Sequence, residues 1–383
     1  MTDLIGCDAR NPTVSVVVCE TYDVDAVRGA LIALLAPLGG MARFVRPGMQ
    51  VLLKPNLLSA SELDRAVTTH PALIRALAEQ VQEAGGNVWI GDSPAGPIEG
   101  NARVWQQTGV AAIAAEDEAV RLIPFDRVTW KRLGGQDYFI APPVLEADLV
   151  INIPKLKTHG LTLYTGAVKN LFGVIPGTRK RELHTRAPGM QDFSRVLADV
   201  LELVRPGLTI MDGVVGQEGN GPGAGGTPHR YACLAASTDA VAVDAVVTAA
   251  MGYRSGEVLH LAQAAVRGLG TCNLDAVQIE GDRRLLEFGP LRLPRPRWYL
   301  RVPSWVSVPM RGMLRARPKV VPSACVGCGR CATVCPRDVI TPGRPPVFSL
   351  RQCIGCLCCA EICPEGAIEA RRRLIAKLFG VGP

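Results

Sequence analysis

The sequence predicts an α/β protein: a large, doubly wound and mostly parallel sheet domain, followed by a small α+β module. Three observations carry that expectation. Over residues 13–290, short apolar runs rich in β-branched residues alternate with stretches of helical period. That is the pattern of parallel strands buried on both faces and covered by helices. Nine of the 13 cysteines fall between Cys325 and Cys363. Charge divides near the same place, with a balance of −5 over residues 1–290 and +12 over residues 291–383. A chain of 383 residues suits one large and one small domain. The expected divisions are 1–290 for the sheet domain, 291–320 for a basic linker rich in Pro and Trp, 321–370 for the cysteine module, and 371–383 for a basic tail.

Taken in order, "TVSVVVCE" reads as a strand and "DAVRGALIALLAPL" as a helix. "MQVLLKP" is a strand, and "HPALIRALAEQVQEAG" is a helix closed by Gly85 and Gly86. "NVWIGD" and "ADLVINIPK" are strands, with "WKRLGGQDYFIAPPV" a hairpin inserted between them. "FSRVLADVLELV", "LTIMDG", "YACLAAS" and "DAVAVDAVVTAAMGY" continue the alternation, with Asp239 as the N-cap of the last helix. Asp244 on that helix reads equally as solvated or packed. No uninterrupted apolar run approaches the roughly 18 residues of a membrane span, and "MTDLIGCDAR" lacks the features of a signal peptide. The expected location is the cytoplasm, where crowded cysteines mean metal and not disulfides.

The cysteine module reads "CVGCGRCATVCP" from Cys325 and "CIGCLCCAEICP" from Cys353, the pattern C-x2-C-x2-C-x3-C-P twice. Each of the four matched cysteines is displaced by 28 residues from its counterpart, as are Gly327 and Gly355. The module resembles the bacterial two-cluster ferredoxins from Cys325 to Ile368. In that arrangement three closely spaced thiolates wrap one cluster and the fourth comes from the other copy. The resemblance implies two [4Fe–4S] clusters, one held by Cys325, Cys328, Cys331 and Cys363, the other by Cys353, Cys356, Cys359 and Cys335. Cys358 aligns with Arg330 and reads as a bystander thiol; the alternative is that it replaces Cys359, but only Cys359 keeps the spacing to Cys363. Two four-thiolate zinc sites are the competing reading, although such sites favour C-x2-C pairs on longer spacers.

The basic flanks, residues 291–319 and the C-terminal "EARRRLIAKLFGVGP", read as a surface linker and a solvated tail. The alternative is a surface that docks an acidic redox partner or touches an anionic membrane. No nucleic-acid partner is expected: binding is conceivable from the basic C-terminal part, but that part lacks an interleaved stacking motif, which places this reading last.

Ligands in doubly wound sheets bind at the carboxyl ends of strands, and the polar residues of the large domain gather there. Lys54 and Asn56 follow "VLL", Asp92 follows "VWI", Lys155, Lys157 and His159 follow "LVINI", and Asp212 follows "LTIM". Lys169 and Asn170 are expected to return to the same rim, with Gly166 and Gly173 permitting tight reversal. The alternative leaves the lysines on a solvated loop. "GPGAGG" at Gly221 matches G-x-G-x-x-G, but a strand and not a helix follows it, so it is no dinucleotide fingerprint. His70, His184, His229 and His260 lack metal-site spacing.

"LLKPNLL", "THPALIRALAEQVQEAGG", "GDSPAG", "IPKLKTHGLTLYTGAVKNLFGVIPG" and "IMDGVVGQEGNGP" together resemble the DUF362 family over most of residues 13–270. That resemblance implies the architecture, with a ferredoxin-type domain in some members, and no reaction. The first functional reading is therefore an iron–sulfur oxidoreductase acting on an anionic or carbonyl substrate. Lys155, Lys157, His159, Lys169 and Asp212 are its candidate catalytic residues, and Lys54, Asn56, Asp92 and Asn170 its candidate substrate-binding residues. A flavin is compatible with this chemistry, but nothing in the sequence indicates one. The other readings are an electron carrier whose large domain docks a redox partner protein, and a redox sensor that binds phosphate or a nucleotide.

Overall fold

The computed structural model describes residues 11–95, 101–160, 162–177, 179–187, 189–294 and 317–371. The proposed tail beyond Arg371, most of the proposed linker and the N-terminal stretch lie outside those residues.

The large domain is built on one ten-stranded mixed sheet. Its strands are β1 (Thr13–Val18), β2 (Gln50–Pro55), β3 (Asn87–Ile90), β4 (Val120–Leu122), β7 (Leu149–Ile153), β8 (Lys155–His159), β9 (Leu163–Thr165), β10 (Leu208–Gly219), β11 (Gly226–Ser237) and β12 (Gln278–Gly281). The main path runs β12-β1-β11-β10-β7-β2-β3-β4, and β8 pairs β10 and β9 off that path. From β10 to β4 every pairing on that path is parallel. On that path the exception is β11, which runs antiparallel to both β1 and β10, and off it β9 runs antiparallel to β8. Strands β5 (Thr129–Leu133) and β6 (Gln136–Ile140) form the expected separate hairpin. Its turn, Gly134-Gly135, has positive φ at both residues, 58° and 79°, as a two-residue hairpin turn requires.

Helices α1 (Val24–Leu35), α2 (Pro71–Glu83), α3 (Asn101–Gln107) and α4 (Val110–Glu116) precede α5 (Pro142–Glu146), α6 (Ala167–Asn170), α7 (Arg179–Arg186), α8 (Met190–Val204), α9 (Ala240–Ala250) and α10 (Leu259–Val266). The sheet separates two apolar cores. Val51, Leu53, Leu149, Ile151 and Ile153 pack with α1 and α2 on one face. Leu52 and Val150 point the other way and join the core of α8 and α9. That alternation is the period-two geometry of a strand covered on both sides, and it makes the domain doubly wound. Asp23 and Asp239 cap α1 and α9 by accepting from two backbone N–H groups each. Gly85, with φ 85°, follows α2 as expected, and the Gly86 N–H donates to the Val81 carbonyl.

The small domain contains β13 (Arg317–Val320), β14 (Ile340–Thr341), β15 (Val347–Phe348), β16 (Ile368–Arg371), α11 (Arg330–Thr333) and α12 (Cys358–Ile362). Strand β13 pairs antiparallel with β16, so the last residues assigned to the linker belong to this domain. At the other end of that stretch, the backbones of Gly219 and Arg292 bond, and Leu291 and Leu293 pack on the large-domain core. The internal repeat is structural: Gly327 and Gly355 share positive φ (75° and 71°), as do Gly329 and Leu357 (72° and 64°).

Candidate functional site

Residues 155–159, expected as a strand end followed by a loop at the rim, form a strand of their own, β8, and are buried throughout. Immediately after β7, Pro154 separates it from β8, which lies off the main path of the sheet and follows the long β10, with Asp212 opposite Lys155 and Gln217 opposite Lys157. Lys155 and Lys157 are each 1% exposed, and such burial demands partners for their ammonium groups. Lys157 Nζ donates to Asn56 Oδ1 (2.8 Å) and the Val67 carbonyl (2.7 Å). Asn56 Nδ2 donates to Asn170 Oδ1 (2.9 Å), and Asn170 Nδ2 to Asn152 Oδ1 (2.8 Å). Lys54 Nζ meets Asp92 Oδ1 at 2.7 Å, while Asp92 Oδ2 accepts from the Leu57 N–H at 2.7 Å. Burial pushes the pKa of Lys157 well down, and Lys169 and Lys155 push it further. Burial also lowers Lys54, against the pull of Asp92.

Lys155 and Asp212 face a different neighbourhood. Their charges meet at 2.9 Å, and the Tyr22 hydroxyl lies 2.6 Å from Lys155 Nζ and donates to Asp212 Oδ1 at 2.7 Å. Tyr22 stacks on His70 at 3.6 Å, and the His70 N–H donates to Asp212 Oδ2. These two candidate residues do not line the cavity described next.

A cavity of about 110 Å3 lies where the rim meets the small domain. The candidates Asn56, Asp92, Lys157, His159, Lys169 and Asn170 all contribute to its wall, and Lys54 stands behind Asp92. Val334, Cys358 and Glu361 close it from the small domain. His159 Nε2 donates to Glu361 Oε1 at 3.1 Å, while its Nδ1 accepts from the Thr162 N–H at 3.2 Å, which sets the tautomer. Burial, then Lys169, lowers His159 to about 4, so the imidazole is neutral near pH 7. Burial raises the Glu361 carboxyl, but His159, Lys169 and His184 outweigh it and hold it at about 2.

Lys169 comes from the short helix α6, which Asp244 fixes. The Asp244 carboxylate accepts from the Ala167 and Val168 N–H groups (2.7 and 2.9 Å) and from Tyr164 Oη (2.9 Å). Burial nonetheless raises Asp244 to about 7. Gly166 and Gly173 have a role other than the chain reversal expected of them, since neither adopts positive φ. A Cβ at Gly166 would collide with Tyr164 and Asp244, and one at Gly173 with Asp92. Asp244 is therefore packed and not solvated.

Sequence reasoning missed helix α7 entirely. Lys180 reaches the Ser93 and Pro94 carbonyls and has its pKa lowered by burial to about 7. His184 stacks on Phe193 at 4.4 Å and meets Phe172 edge-on at 5.4 Å. Arg181, which also lines the cavity, pairs with Asp338 and donates to the carbonyls of Thr333 and Cys335. The only sequence signal was the four-residue spacing of Lys180 and His184 on an otherwise basic helix.

The eight matched cysteines surround two smaller spaces. Cys325, Cys328, Cys331 and Cys363 line one, and Cys335, Cys353, Cys356 and Cys359 line the other, each of about 20 Å3. Cys358 lines the large cavity instead. No three His, Cys, Asp or Glu side chains among the described residues close around a point as one bound ion requires. Four soft sulfur donors spread around a space fit a cluster better than a single zinc ion.

Comparison with known proteins fits this geometry. The model of the "Domain of unknown function (DUF362)" family matches residues 51–249, the segment that supplies β2 through α9 and the large-domain wall of the cavity. The chain belongs to the DUF362 family. In this DUF362 chain, a 4Fe-4S binding domain model also matches residues 318–341, which include Cys325, Cys328, Cys331 and Cys335. The C-terminal module is thus an iron–sulfur domain of the electron-transfer type. A curated relative, the thylakoid-associated protein sll1697 of Synechocystis, is 39% identical over 246 residues, covering 62% of this chain and 73% of the relative. Among solved structures, the lactate racemase apoprotein of Thermoanaerobacterium thermosaccharolyticum is 15% identical with a TM-score of 0.35, and a Thermotoga maritima protein is 11% identical with a TM-score of 0.34. The matches cover 53% and 56% of this chain and 51% and 56% of those chains, and likeness this low carries no argument. No helix among the described residues is long and apolar enough to cross a membrane.

Proposed function

We propose that this DUF362 chain is an iron–sulfur oxidoreductase that holds two [4Fe–4S] clusters and acts on a small anionic or carbonyl compound in the cavity between its domains. One observation carries the reading: the cavity is walled on one side by Lys157, His159 and Lys169 and on the other by Val334, Cys358 and Glu361. Those last three residues neighbour Cys335 and Cys359 in sequence, so a bound compound sits beside the second cysteine set. Cys325, Cys328, Cys331 and Cys363 would hold one cluster, and Cys335, Cys353, Cys356 and Cys359 the other, with Cys358 left as a cavity-wall thiol. Such clusters supply single electrons.

The chain's own residues do the rest. Lys169 stabilises negative charge on the compound, as a cation in a partly dehydrated site does, while Lys157 holds Asn56 at the cavity wall. Lys180, lowered to about 7, can give or take a proton near neutral pH. Asp92 and Lys54 hold the strand ends, and Asp244 holds Lys169. Lys155 and Asp212 act as a structural pair. Each set has two buried cysteines, but Cys328 is the one exposed member of the eight, which favours entry of electrons from a partner protein at the first cysteine set. The reading keeps the chain in the cytoplasm, a compartment that maintains thiols for iron.

The test is anaerobic purification with iron, sulfide and flavin quantified, then reduction and exposure to small anionic and carbonyl acceptors. The expected result is two clusters per chain and an acceptor that reoxidises the wild type faster than Lys169→Ala. A single cluster, or equal reoxidation of both proteins by every acceptor, counts against the reading.

A further inference from the structure

The lysines around the cavity differ in what remains available to a ligand. Lys54 is engaged by Asp92, Lys157 by Asn56 and the Val67 carbonyl, and Lys180 by two carbonyls. Lys169 lines the cavity, and among the described residues no hydrogen bond engages its ammonium; burial lowers its pKa, and Glu361 opposes that only through space. Asp92 is matched by Lys54 and Arg181 by Asp338, while Lys157, Lys169 and Lys180 share the cavity with the single carboxylate of Glu361, and burial lowers the pKa of all three lysines. An anion bound beside Lys169 favours its charged form and pairs with it.

The rest of the wall selects among anions. Phe172 lies three residues from Lys169, one turn further along the chain, and its ring meets Phe193 at 5.2 Å. His184 completes a three-ring cluster and is lowered to about 4, mainly by burial, so it adds no charge near pH 7. Leu58, Ala95 and Val334 extend the apolar surface. Inorganic phosphate or sulfate would fill the cationic end and leave this surface bare. The volume of about 110 Å3 is of the same order as the roughly 150 Å3 cavity that admits benzene, which suits a small organic anion.

We propose that the cavity binds a small organic monocarboxylate, its carboxylate on Lys169 and its short carbon body along Phe172 and Phe193. This rests on the oxidoreductase reading and names its substrate class, but it concerns binding and is tested without turnover. The body it can enclose has on the order of six heavy atoms. The carboxylate takes charge-assisted hydrogen bonds from Lys169, and burial of the carbon body adds the apolar contribution.

The test uses the full chain with its clusters loaded and oxidised, and crotonate as the probe, with binding followed by calorimetry or ligand-observed NMR. Crotonamide, of the same shape without charge, and inorganic phosphate, charged without a body, serve as controls. The expected result is that crotonate binds at least about tenfold more tightly than either, and that Lys169→Met weakens crotonate about tenfold or more. Lys169→Arg should recover part of that loss, and unchanged melting temperature and cluster absorbance in the variants would show that the fold is intact. Phosphate binding as tightly as crotonate, or crotonate binding unaffected by Lys169→Met, overturns the proposal. Because no electron moves in this experiment, its failure is separate from failure of the reoxidation assay.

Discussion

Lys54 with Asp92, and Lys155 with Asp212, place four charges where the dielectric is low and water is excluded. Such pairs add little net stability, yet breaking one leaves its partner uncompensated. Lys54→Met is therefore expected to cost about 3–5 kcal/mol in anaerobic denaturant unfolding, with Lys54→Met/Asp92→Leu recovering part of the loss. Equal stability of the two variants would show that Asp92 does not need its partner. Lys180 obeys a different rule, because burial lowers its pKa to about 7. Its charged form is disfavoured by folding, so it carries charge only below that value. Crotonate affinity should then fall as pH rises from about 6 to about 8.5, and Lys180→Met should flatten the profile; a wild-type profile already flat over that range would remove Lys180 from the site. The first group of lysines was legible in the sequence, because Lys155, Lys157 and Lys169 interrupt otherwise apolar runs. Lys180 and His184 were not, because "RKRELHTR" looks like any solvated basic helix. Only docking of the small domain turns one side of it into a cavity wall.

Elements tell a similar story at a longer range. Strands β2, β7 and β10 could be read from their apolar runs, since residues buried on both faces leave that trace. Strand β8 could not, because "KLKTH" carries three ionisable side chains and has no apolar period. It is a strand because β9 and β10 satisfy its backbone while Asn56, Asp212 and Glu361 satisfy its side chains. The glycines at the ends of the following segment were visible but misread: they make room where a turn was expected. At Gly173 the backbone passes so close to the Lys54–Asp92 pair that a methyl group has no space. Gly173→Ala is expected to lose about 1–3 kcal/mol of stability through overpacking and to weaken crotonate binding, since Gly173 also lines the cavity. Normal stability in this variant would mean that the neighbouring side chains can move aside.

Across the whole molecule, the two domains share one wall. Helix α7 presents Lys180 and His184 to the cavity and Arg181 and Thr185 to the backbone of the small domain at Thr333, Cys335 and Pro336. From the other side, Glu361 crosses to His159, and the loop at Gly223 lies against the Glu361 backbone. The C-terminal iron–sulfur module stood out in the sequence from its cysteines, but its contact with the large domain did not, because that contact pairs residues some 150 to 200 positions apart. Its consequence is electrostatic coupling. An anion beside Lys169 adds negative charge next to the second cysteine set, and reduction of a cluster there adds more. The two events oppose each other, and by linkage each weakens the other to the same extent. Saturating crotonate should therefore move the midpoint of one cluster to a more negative potential, about 59 mV for each tenfold difference in affinity between the oxidised and reduced states. The cluster of the exposed Cys328 should shift much less, because salt and distance screen it. Potentiometric titration followed by electron paramagnetic resonance separates the two signals. Equal shifts in both, or no shift at saturating crotonate, would contradict a cavity that borders one cluster alone.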